Sequence, residues 1–338
     1  MNLLDIRNLT IELETPQGLI TAVERFSLVV QDGEVRGIVG ESGSGKSLVG
    51  RAIMGLLSSK WRVRADRFFF AGQDLQQMGV DEHRRFMGQE AAMIFQQPSS
   101  YLDPIAKIGE QLIEALPEQR SFSLSFWRRS RERVEKVSAL LHKVGIRDHT
   151  RIMNSYPHEL SEGLCQKIMI AMAIANEPRL LIADEPTSTM EATTKIQIYK
   201  LMAKMNQLRK LSVVHISNEL ETAANWTDRV TIMYCGQAVE AGPTEQVVNQ
   251  PLHPYTHALA TLVKRDPERQ MLNVMPGTMP TLQHLPTGCR LGPRCPRAHK
   301  DCIEMPRSRY LRNRSYRCHA PFNLEEKHAN AAASGQTH

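Results

Sequence analysis

Eight consecutive residues have the types and spacing that cradle phosphate groups. They are Gly40, Glu41, Ser42, Gly43, Ser44, Gly45, Lys46 and Ser47. The run fits G-x-x-x-x-G-K-[ST], in which glycines let successive backbone N–H groups turn toward phosphate oxygens. Lys46 is then placed to neutralise the β- and γ-phosphates, and the Ser47 hydroxyl to hold Mg²⁺. The sequence therefore predicts a nucleotide-binding phosphate loop.

Two adjacent carboxylates, Asp184 and Glu185, form the second group that could do chemistry. They end an apolar run that begins at Leu180. An apolar strand that ends in carboxylates beside a phosphate loop provides Asp184 to hold Mg²⁺ and Glu185 to polarise the attacking water. Both features together predict hydrolysis of a nucleoside triphosphate.

Strands alternating with helices would position these groups. Partial period-two alternation predicts two antiparallel strands over 3–13 and 19–30. Further strands are predicted at 35–39, 91–95, 180–185, 212–217, 230–234 and 237–240. Helices are predicted at 48–54, across 104–177, at 193–207 and as a pair around 244–264. This order predicts an α/β fold with a mainly parallel sheet and the ligand at the carboxyl ends of its strands.

Composition and charge set outer bounds on the function. The chain has 338 residues, enough for one large and one smaller domain. Its net charge is +6. A basic surface suits nucleotide, nucleic acid or anionic lipid and selects none of them. The longest apolar run, 168–175, is too short to span a membrane, and the N-terminus lacks the pattern of a secretory signal. The six cysteines are therefore expected to be thiols or metal ligands rather than disulfides.

Three further motifs give the chain a specific resemblance. The run 160–164, L-S-E-G-L, resembles the L-S-G-G-Q signature of ABC ATPases, Gln96 resembles their Q-loop glutamine, and 180–186 their Walker B strand. The resemblance implies two cassettes packed head to tail with two ATP molecules between them. Ser161 and Gly163 would contact the partner's ATP, whereas Gln96 would serve catalysis and Mg²⁺ binding. Asn218 would occupy the switch position near the γ-phosphate.

The chain is most similar to ATPases of oligopeptide and dipeptide importers. The shared runs are 39–47, 93–98, 253–256 and 288–296. Four C-terminal cysteines, Cys289, Cys295, Cys302 and Cys318, follow a C-x5-C-x6-C-x15-C spacing. Four thiolates can hold a [4Fe–4S] cluster, as reported for some family members, or Zn²⁺, with His299 and His319 as substitute ligands. Free thiols remain the alternative, because the spacing matches no common zinc motif.

The resemblance also implies the architecture. We expect a P-loop ABC ATPase domain with a RecA-like mixed sheet core, an antiparallel β subdomain and an α-helical signature subdomain, followed by a small Cys-rich domain of the oligopeptide-transporter type. The expected boundaries are 1–264 for the nucleotide-binding domain, 104–177 for its helical part and 265–324 for the Cys-rich domain. A polar, Ala/Ser/Gly-rich end at 325–338 predicts a disordered tail.

Four motifs depart from the family pattern. Glu162 and Leu164 replace a glycine and the glutamine of the signature, and 188–191 reads S-T-M-E where the family has S-A-L-D. Asn218 replaces the switch histidine, and Leu13 stands where an aromatic residue would stack on adenine. An amide cannot carry the charge of an imidazolium. We therefore hypothesise that this subunit binds ATP but hydrolyses it slowly.

The predicted function is that of an ATP-binding subunit in a heteromeric ABC transporter for peptides, with antimicrobial peptides as one candidate cargo. The expected partners are a second ATPase subunit, two transmembrane permease subunits and a periplasmic substrate-binding protein, at the cytoplasmic face of the bacterial inner membrane. A mainly regulatory ABC subunit is one alternative, and a non-transport ATPase acting on nucleic acid is another. The basic, aromatic segment 122–134 could contact lipid or a membrane subunit, or be a solvated helix start.

Overall fold

A computed structural model describes residues 2–117, 126–188, 190–263 and 275–323 of the chain. These residues belong to two compact units. The first unit joins Met1–Gln77 to His215–His338, and the second is Met78–Val214. The phosphate loop and the C-terminal cysteines thus belong to the same unit.

Strands and helices are interspersed along the chain. The strands are β1 (Asn2–Thr15), β2 (Gly18–Gln31), β3 (Val35–Val39), β4 (Trp61–Arg64), β5 (Arg67–Phe70), β6 (Gln73–Asp74), β7 (Ala91–Ile94), β8 (Leu180–Asp184), β9 (Ser212–Ser217), β10 (Arg229–Tyr234), β11 (Gln237–Pro243), β12 (Arg309–Leu311) and β13 (Arg314–Tyr316). The helices are α1 (Lys46–Ile53), α2 (Val80–Glu90), α3 (Ile108–Glu114), α4 (Phe126–Lys143), α5 (His149–Asn154), α6 (Glu162–Ala173), α7 (Ala192–Arg209), α8 (Leu220–Ala224), α9 (Thr244–Asn249) and α10 (Pro254–Val263).

An antiparallel sheet opens the first unit. Strands β1 and β2 pair antiparallel, as the sequence predicted. Strand β1 also pairs with β4 and β5, and β5 with β6, all antiparallel. The short strands β4 to β6 were not predicted, because runs of two to four residues are too short to give a clear strand signal, although W-R-V-R of β4 does alternate.

A mixed sheet forms the centre of the first unit. Strand β10 runs parallel to β3 and antiparallel to β11. Strand β13 pairs with the other side of β11, and β12 pairs with β13. Helices α8 to α10 cover these strands with apolar side chains, among them the buried Val247 and Tyr255. Leu291, from the C-terminal segment, is buried in the same apolar cluster, so that segment shares the core of the first unit.

The second unit is largely helical around a parallel strand pair. Strands β7 and β8 are parallel, and helices α3 to α6 lie in the region predicted as helical. Helix α7 matches the helix predicted over 193–207, and β9 crosses from the second unit into the first. The predicted α/β class with a mixed sheet and an antiparallel β part is confirmed.

The predicted domain boundaries stay predictions. The compact units divide the chain differently, since the C-terminal segment belongs to the unit that holds the phosphate loop. The predicted tail and the first ten residues of the predicted Cys-rich domain, 265–274, lie outside the described residues. So do residues 122–125, and within α4 the side chains are described from residue 131 onward.

Candidate nucleotide-binding site

The phosphate loop lies between a buried strand and a helix, as its sequence predicts. All five residues of β3 are buried, and α1 begins at Lys46, two residues before the predicted start. Gly45, before α1, has a φ of 101°, a left-handed conformation that favours glycine. At Gly40 an added Cβ would lie 2.1 Å from the carbonyl oxygen of Met233. These glycines therefore allow a loop path that bulkier residues would block.

The ammonium of Lys46 is held inside the loop by oxygen atoms. Its Nζ donates to the carbonyl oxygens of Gly40 and Glu41, each at 2.8 Å. It also donates to Asn218 Oδ1 at 2.9 Å. Lys46 is only 4% exposed, whereas Ser42 and Gly43 are exposed at the rim of the loop. The loop thus offers backbone N–H groups and a fixed positive charge, both of which bind phosphates.

Asn218 is brought to the phosphate loop by β9. It follows Ser217, the last residue of that strand, and the carbonyl oxygen of Ser217 accepts a 3.4 Å hydrogen bond from Gly40 N. The residue that the sequence assigned to the switch position therefore contacts the phosphate-loop lysine within the first unit. Its role in hydrolysis stays a prediction.

Glu41 has two protein contacts that sequence reasoning missed. Its backbone N–H donates to Tyr255 Oη at 2.8 Å, and its carboxylate accepts from Arg294 Nη1 at 3.0 and 3.2 Å. Tyr255 lies in the H-P-Y-T run, 253–256, which is one of the runs shared with oligopeptide and dipeptide importers, and Arg294 directly precedes Cys295. The separation of 253 residues between Glu41 and Arg294 left no local signal for their contact.

Leu13, at the predicted adenine-stacking position, lies opposite an aromatic residue. Its Cα is paired with that of Trp61 across β1 and β4. Directly opposite residues of an antiparallel pair project to the same face of the sheet. Trp61 therefore supplies an aromatic group beside Leu13, from a strand that the sequence did not predict.

In the second unit, parallel pairing brings Gln96 and Glu185 together. Ile94 of β7 is paired with Ala183 of β8, so each functional residue lies two positions beyond a paired residue. Gln96 Nε2 donates a 2.8 Å hydrogen bond to Glu185 Oε2. Glu185 has a φ of 47°, which non-glycine residues seldom adopt and which often marks functional positions. Its neighbour Asp184 is 2% exposed.

The signature run begins α6. Ser161 is the N-cap residue and is exposed, and Gly163 lies in the first turn. The unusual Glu162 accepts a 3.3 Å hydrogen bond from Ser99 Oγ, so the carboxylate has a partner within its own unit. Of the altered D-loop, Ser188 and Glu191 are exposed and Met190 is buried, whereas Thr189 lies outside the described residues.

The four C-terminal cysteines line one small pocket. Cys289, Cys295, Cys302 and Cys318 share it with His299 and His319. Burial raises the pKa of Cys289 and Cys295 and raises that of Cys318 to about 11, so these three thiols are protonated at neutral pH. Among the described residues no three His, Cys, Asp or Glu side chains are arranged to hold a metal ion. The structure therefore brings the four candidate thiols to one pocket without a metal-ligating arrangement among the described residues.

No described helix combines the length and apolar character needed to cross a membrane.

Two family models match the chain. The model for "ABC transporter" matches residues 23–188. The model for "Oligopeptide/dipeptide transporter, C-terminal region" matches residues 239–302, a range that includes Cys289, Cys295 and Cys302. The first match covers the phosphate loop, Gln96, the signature run and the two carboxylates at the end of β8.

Proteins similar to the chain include transport ATP-binding proteins over almost its full length. The peptide transport system ATP-binding protein SapD of Salmonella typhimurium is 46% identical over 331 residues, which cover 97% of this chain and 100% of SapD. The dipeptide transport ATP-binding protein DppD of Escherichia coli is 40% identical over 326 residues, covering 96% and 98%. The solved post-hydrolysis dimer of the ATP-binding cassette MJ0796, bound to ADP and Pi, has a TM-score of 0.62 at 23% identity and covers 71% of this chain and 98% of MJ0796. That likeness shows the fold.

Proposed function

Because this chain belongs to the ABC transporter family of ATP-binding proteins, we propose that it is the ATP-binding subunit of a peptide transporter. The observation that carries the proposal is similarity along nearly the whole chain to ATP-binding proteins of peptide and dipeptide transport. That similarity includes the C-terminal region, for which the oligopeptide/dipeptide family model matches. The comparisons favour neither a regulatory subunit nor a nucleic-acid-directed ATPase.

The chain is an ABC-type ATPase, and its residues take distinct roles in our proposal. Lys46 and the backbone amides of the phosphate loop bind the phosphates. The oxygens of Ser47, Asp184 and Gln96 are donors of the kind that Mg²⁺ prefers. Glu185, held by Gln96 at 2.8 Å, accepts a proton from the attacking water. Bound Mg²⁺ would neutralise charge on the phosphates.

Membership of the family supports a proposal for the partners and the location. We propose a complex with two permease subunits, a second ATPase subunit and a periplasmic substrate-binding protein. The chain would then lie on the cytoplasmic face of the inner membrane, held there by the permeases. Antimicrobial peptides are one candidate cargo. In the composite sites of such a dimer, Ser161 and Gly163 would contact the ATP bound by the partner ATPase.

We further propose that the subunit's own site turns ATP over slowly. Support comes from Asn218, which offers Lys46 an amide oxygen where the family has a histidine. A neutral amide neither carries charge nor transfers a proton as imidazole does. A loss of 10²–10³ in rate would correspond to roughly 3–4 kcal/mol of transition-state stabilisation.

Purification of the assembled complex tests the transport proposal. The tagged chain, expressed with its neighbouring reading frames, should copurify with two membrane proteins and a second ATPase. In proteoliposomes, ATP turnover should rise several-fold with a peptide-loaded binding protein, and Glu185→Gln should reduce that rise. Turnover that responds to nucleic acid instead of peptide, with no membrane protein copurifying, would refute peptide transport.

The cysteine pocket requires a separate test for a [4Fe–4S] cluster or Zn²⁺. The support is that four thiols line one pocket, and the evidence against it is the lack of a ligating group among the described residues. Iron, sulfide and zinc should be quantified in protein purified without oxygen, beside Cys302→Ser. A content of one [4Fe–4S] cluster or one zinc ion per chain that is lost in Cys302→Ser would support a metal site. Wild-type protein that contains no metal would exclude it.

A further inference from the structure

The C-terminal segment reaches the phosphate loop through one buried arginine. Arg294 is 8% exposed and lies in a short helical turn, Gly292–Arg294. Its Nε donates to the carbonyl oxygen of Pro276 at 2.8 Å, and its Nη1 donates to Tyr234 Oη at 3.3 Å. The same Nη1 contacts both carboxylate oxygens of Glu41. Packing and hydrogen bonds thus direct this guanidinium to a residue of the phosphate loop.

Glu41 is fixed at three points. Its backbone N–H donates to Tyr255 Oη, and its carbonyl oxygen accepts from Lys46 Nζ, each at 2.8 Å. Its carboxylate is paired with Arg294. The residue that holds the phosphate-binding lysine therefore also carries a negative charge, and the opposite charge comes from the C-terminal segment.

That negative charge matters because ATP brings several negative charges to the same loop. A carboxylate near the phosphates repels them, and the repulsion is strong where water is partly excluded. The Glu41 side chain is only 35% exposed, so solvent screens it incompletely. Pairing with Arg294 cancels the charge while Glu41 keeps its backbone contacts with Tyr255 and Lys46.

We propose that Arg294 is a positioning residue for nucleotide binding, which acts by neutralising Glu41 in the phosphate loop. The C-terminal segment then contributes to ATP binding, in addition to any role of its cysteines. The proposal goes beyond the transport function and does not depend on the cargo or on a metal in the cysteine pocket.

A charge-cancelling role makes an unusual prediction for paired substitutions. Arg294→Gln leaves Glu41 unpaired and should weaken ATP binding on the order of tenfold. Glu41→Gln removes the repelling charge, so ATP should bind at least as tightly as to wild type. In the double variant the two changes compensate, and affinity should return to within about threefold of wild type.

Titration of a fluorescent ATP analogue into the full-length chain, with thermal unfolding alongside, measures these affinities. The matched control is Arg297→Gln, because Arg297 is three residues along the same segment and its guanidinium lies over the Phe322 ring. That variant should keep wild-type affinity. A fluorescent ADP analogue should be titrated as well. The loss of affinity in Arg294→Gln should be larger for the ATP analogue than for the ADP analogue, because the repulsion by Glu41 grows with the phosphate charge.

The outcomes separate charge cancellation from a purely structural role. If Glu41→Gln weakens binding as much as Arg294→Gln, or if the double variant is as weak as Arg294→Gln, the proposal is wrong. If Arg294→Gln fails to fold, two other variants test charge cancellation. Glu41→Gln should keep ATP affinity at or above that of wild type. Arg294→Lys keeps the positive charge and should keep ATP affinity within about threefold of wild type. Normal ATPase activity with peptide-independent turnover would leave this inference intact while refuting the proposed transport function.

Discussion

Lys46 Nζ donates a 2.9 Å hydrogen bond to Asn218 Oδ1, joining the phosphate-loop lysine to the switch position. An incoming γ-phosphate would compete with this amide oxygen for the ammonium. In a neutral imidazole at the same position, the ring nitrogen that faces the loop could either accept from Lys46 or donate to the phosphate, and the tautomer decides which of the two it does. The amide accepts from the lysine through its oxygen and keeps an NH2 group that can donate, but it cannot carry the positive charge of an imidazolium.

The first prediction concerns Asn218→His. We expect this change to raise ATP turnover in the assembled complex by about 10–100-fold, or about 1.4–2.7 kcal/mol, because a histidine can stabilise the charge that develops on the phosphate. The measurement is steady-state phosphate release at saturating ATP. Glu185→Gln serves as the reference for a disabled site. If Asn218→His leaves turnover unchanged while Glu185→Gln abolishes it, the idea of an impaired site is wrong.

The second prediction concerns the hydrogen bond from Gln96 to Glu185. Gln96→Ala removes the donor that orients the carboxylate, so we expect kcat to fall about tenfold while ATP affinity measured without Mg²⁺ stays within about twofold of wild type. Gln97→Ala is the matched control, because it removes the same side chain one residue along the chain. Equal losses in both variants would show that the 2.8 Å contact does not serve catalysis.

The third prediction concerns the signature carboxylate. Glu162→Gly restores the glycine of the family pattern, and we expect turnover of the complex to rise several-fold, because a negative charge near the partner's ATP is removed. Ser99→Ala releases Glu162 from its 3.3 Å hydrogen bond and should lower turnover. The two variants should therefore change phosphate release in opposite directions. Changes in the same direction would mean that the carboxylate does not face the partner's nucleotide.

The fourth prediction concerns pH and the buried His253. Burial lowers its pKa to about 3 from an ordinary 6.5, so the folded protein keeps it neutral while the unfolded chain takes up a proton below pH 6.5. Its contribution to stability is complete above pH 6.5 and is lost as the pH falls toward 3. At pH 5 the loss should be about 2 kcal/mol from this residue.

Urea unfolding at pH 7.5 and pH 5.0 measures this loss. In His253→Asn the side chain keeps an acceptor for the N–H of Tyr255, which His253 Nδ1 accepts at 3.2 Å. The variant should be less stable at pH 7.5 but should lose about 2 kcal/mol less on acidification. Glu240, whose buried carboxylate accepts from the backbone N–H of His253, is present in both proteins and cancels in the comparison. Identical pH dependence in both would contradict the prediction.

Motifs made the phosphate loop and β8 predictable, because both need particular residues at fixed spacing. The contact between Gln96 and Glu185 also follows from sequence once β7 and β8 are taken as parallel neighbours. The pair of Glu41 and Arg294 could not be predicted, since 253 residues separate them and Arg294 stands in a Cys-rich run that indicates metal binding. Trp61 was missed because its significance depends on cross-strand pairing with Leu13.

The hairpin of β12 and β13 has a consequence for how the protein behaves beside other chains. Strand β13 pairs with the side of β11 that faces away from β10, and Arg317 N adds a 2.8 Å hydrogen bond to the carbonyl oxygen of Val239. An unpaired strand edge can add strands from another molecule and so begin aggregation. The hairpin covers that edge of β11 and replaces it with β12, whose three residues include exposed Arg309. The last described strands thus put a three-residue edge with an exposed arginine in place of part of the longer β11 edge, and a short, charged edge disfavours pairing with another copy.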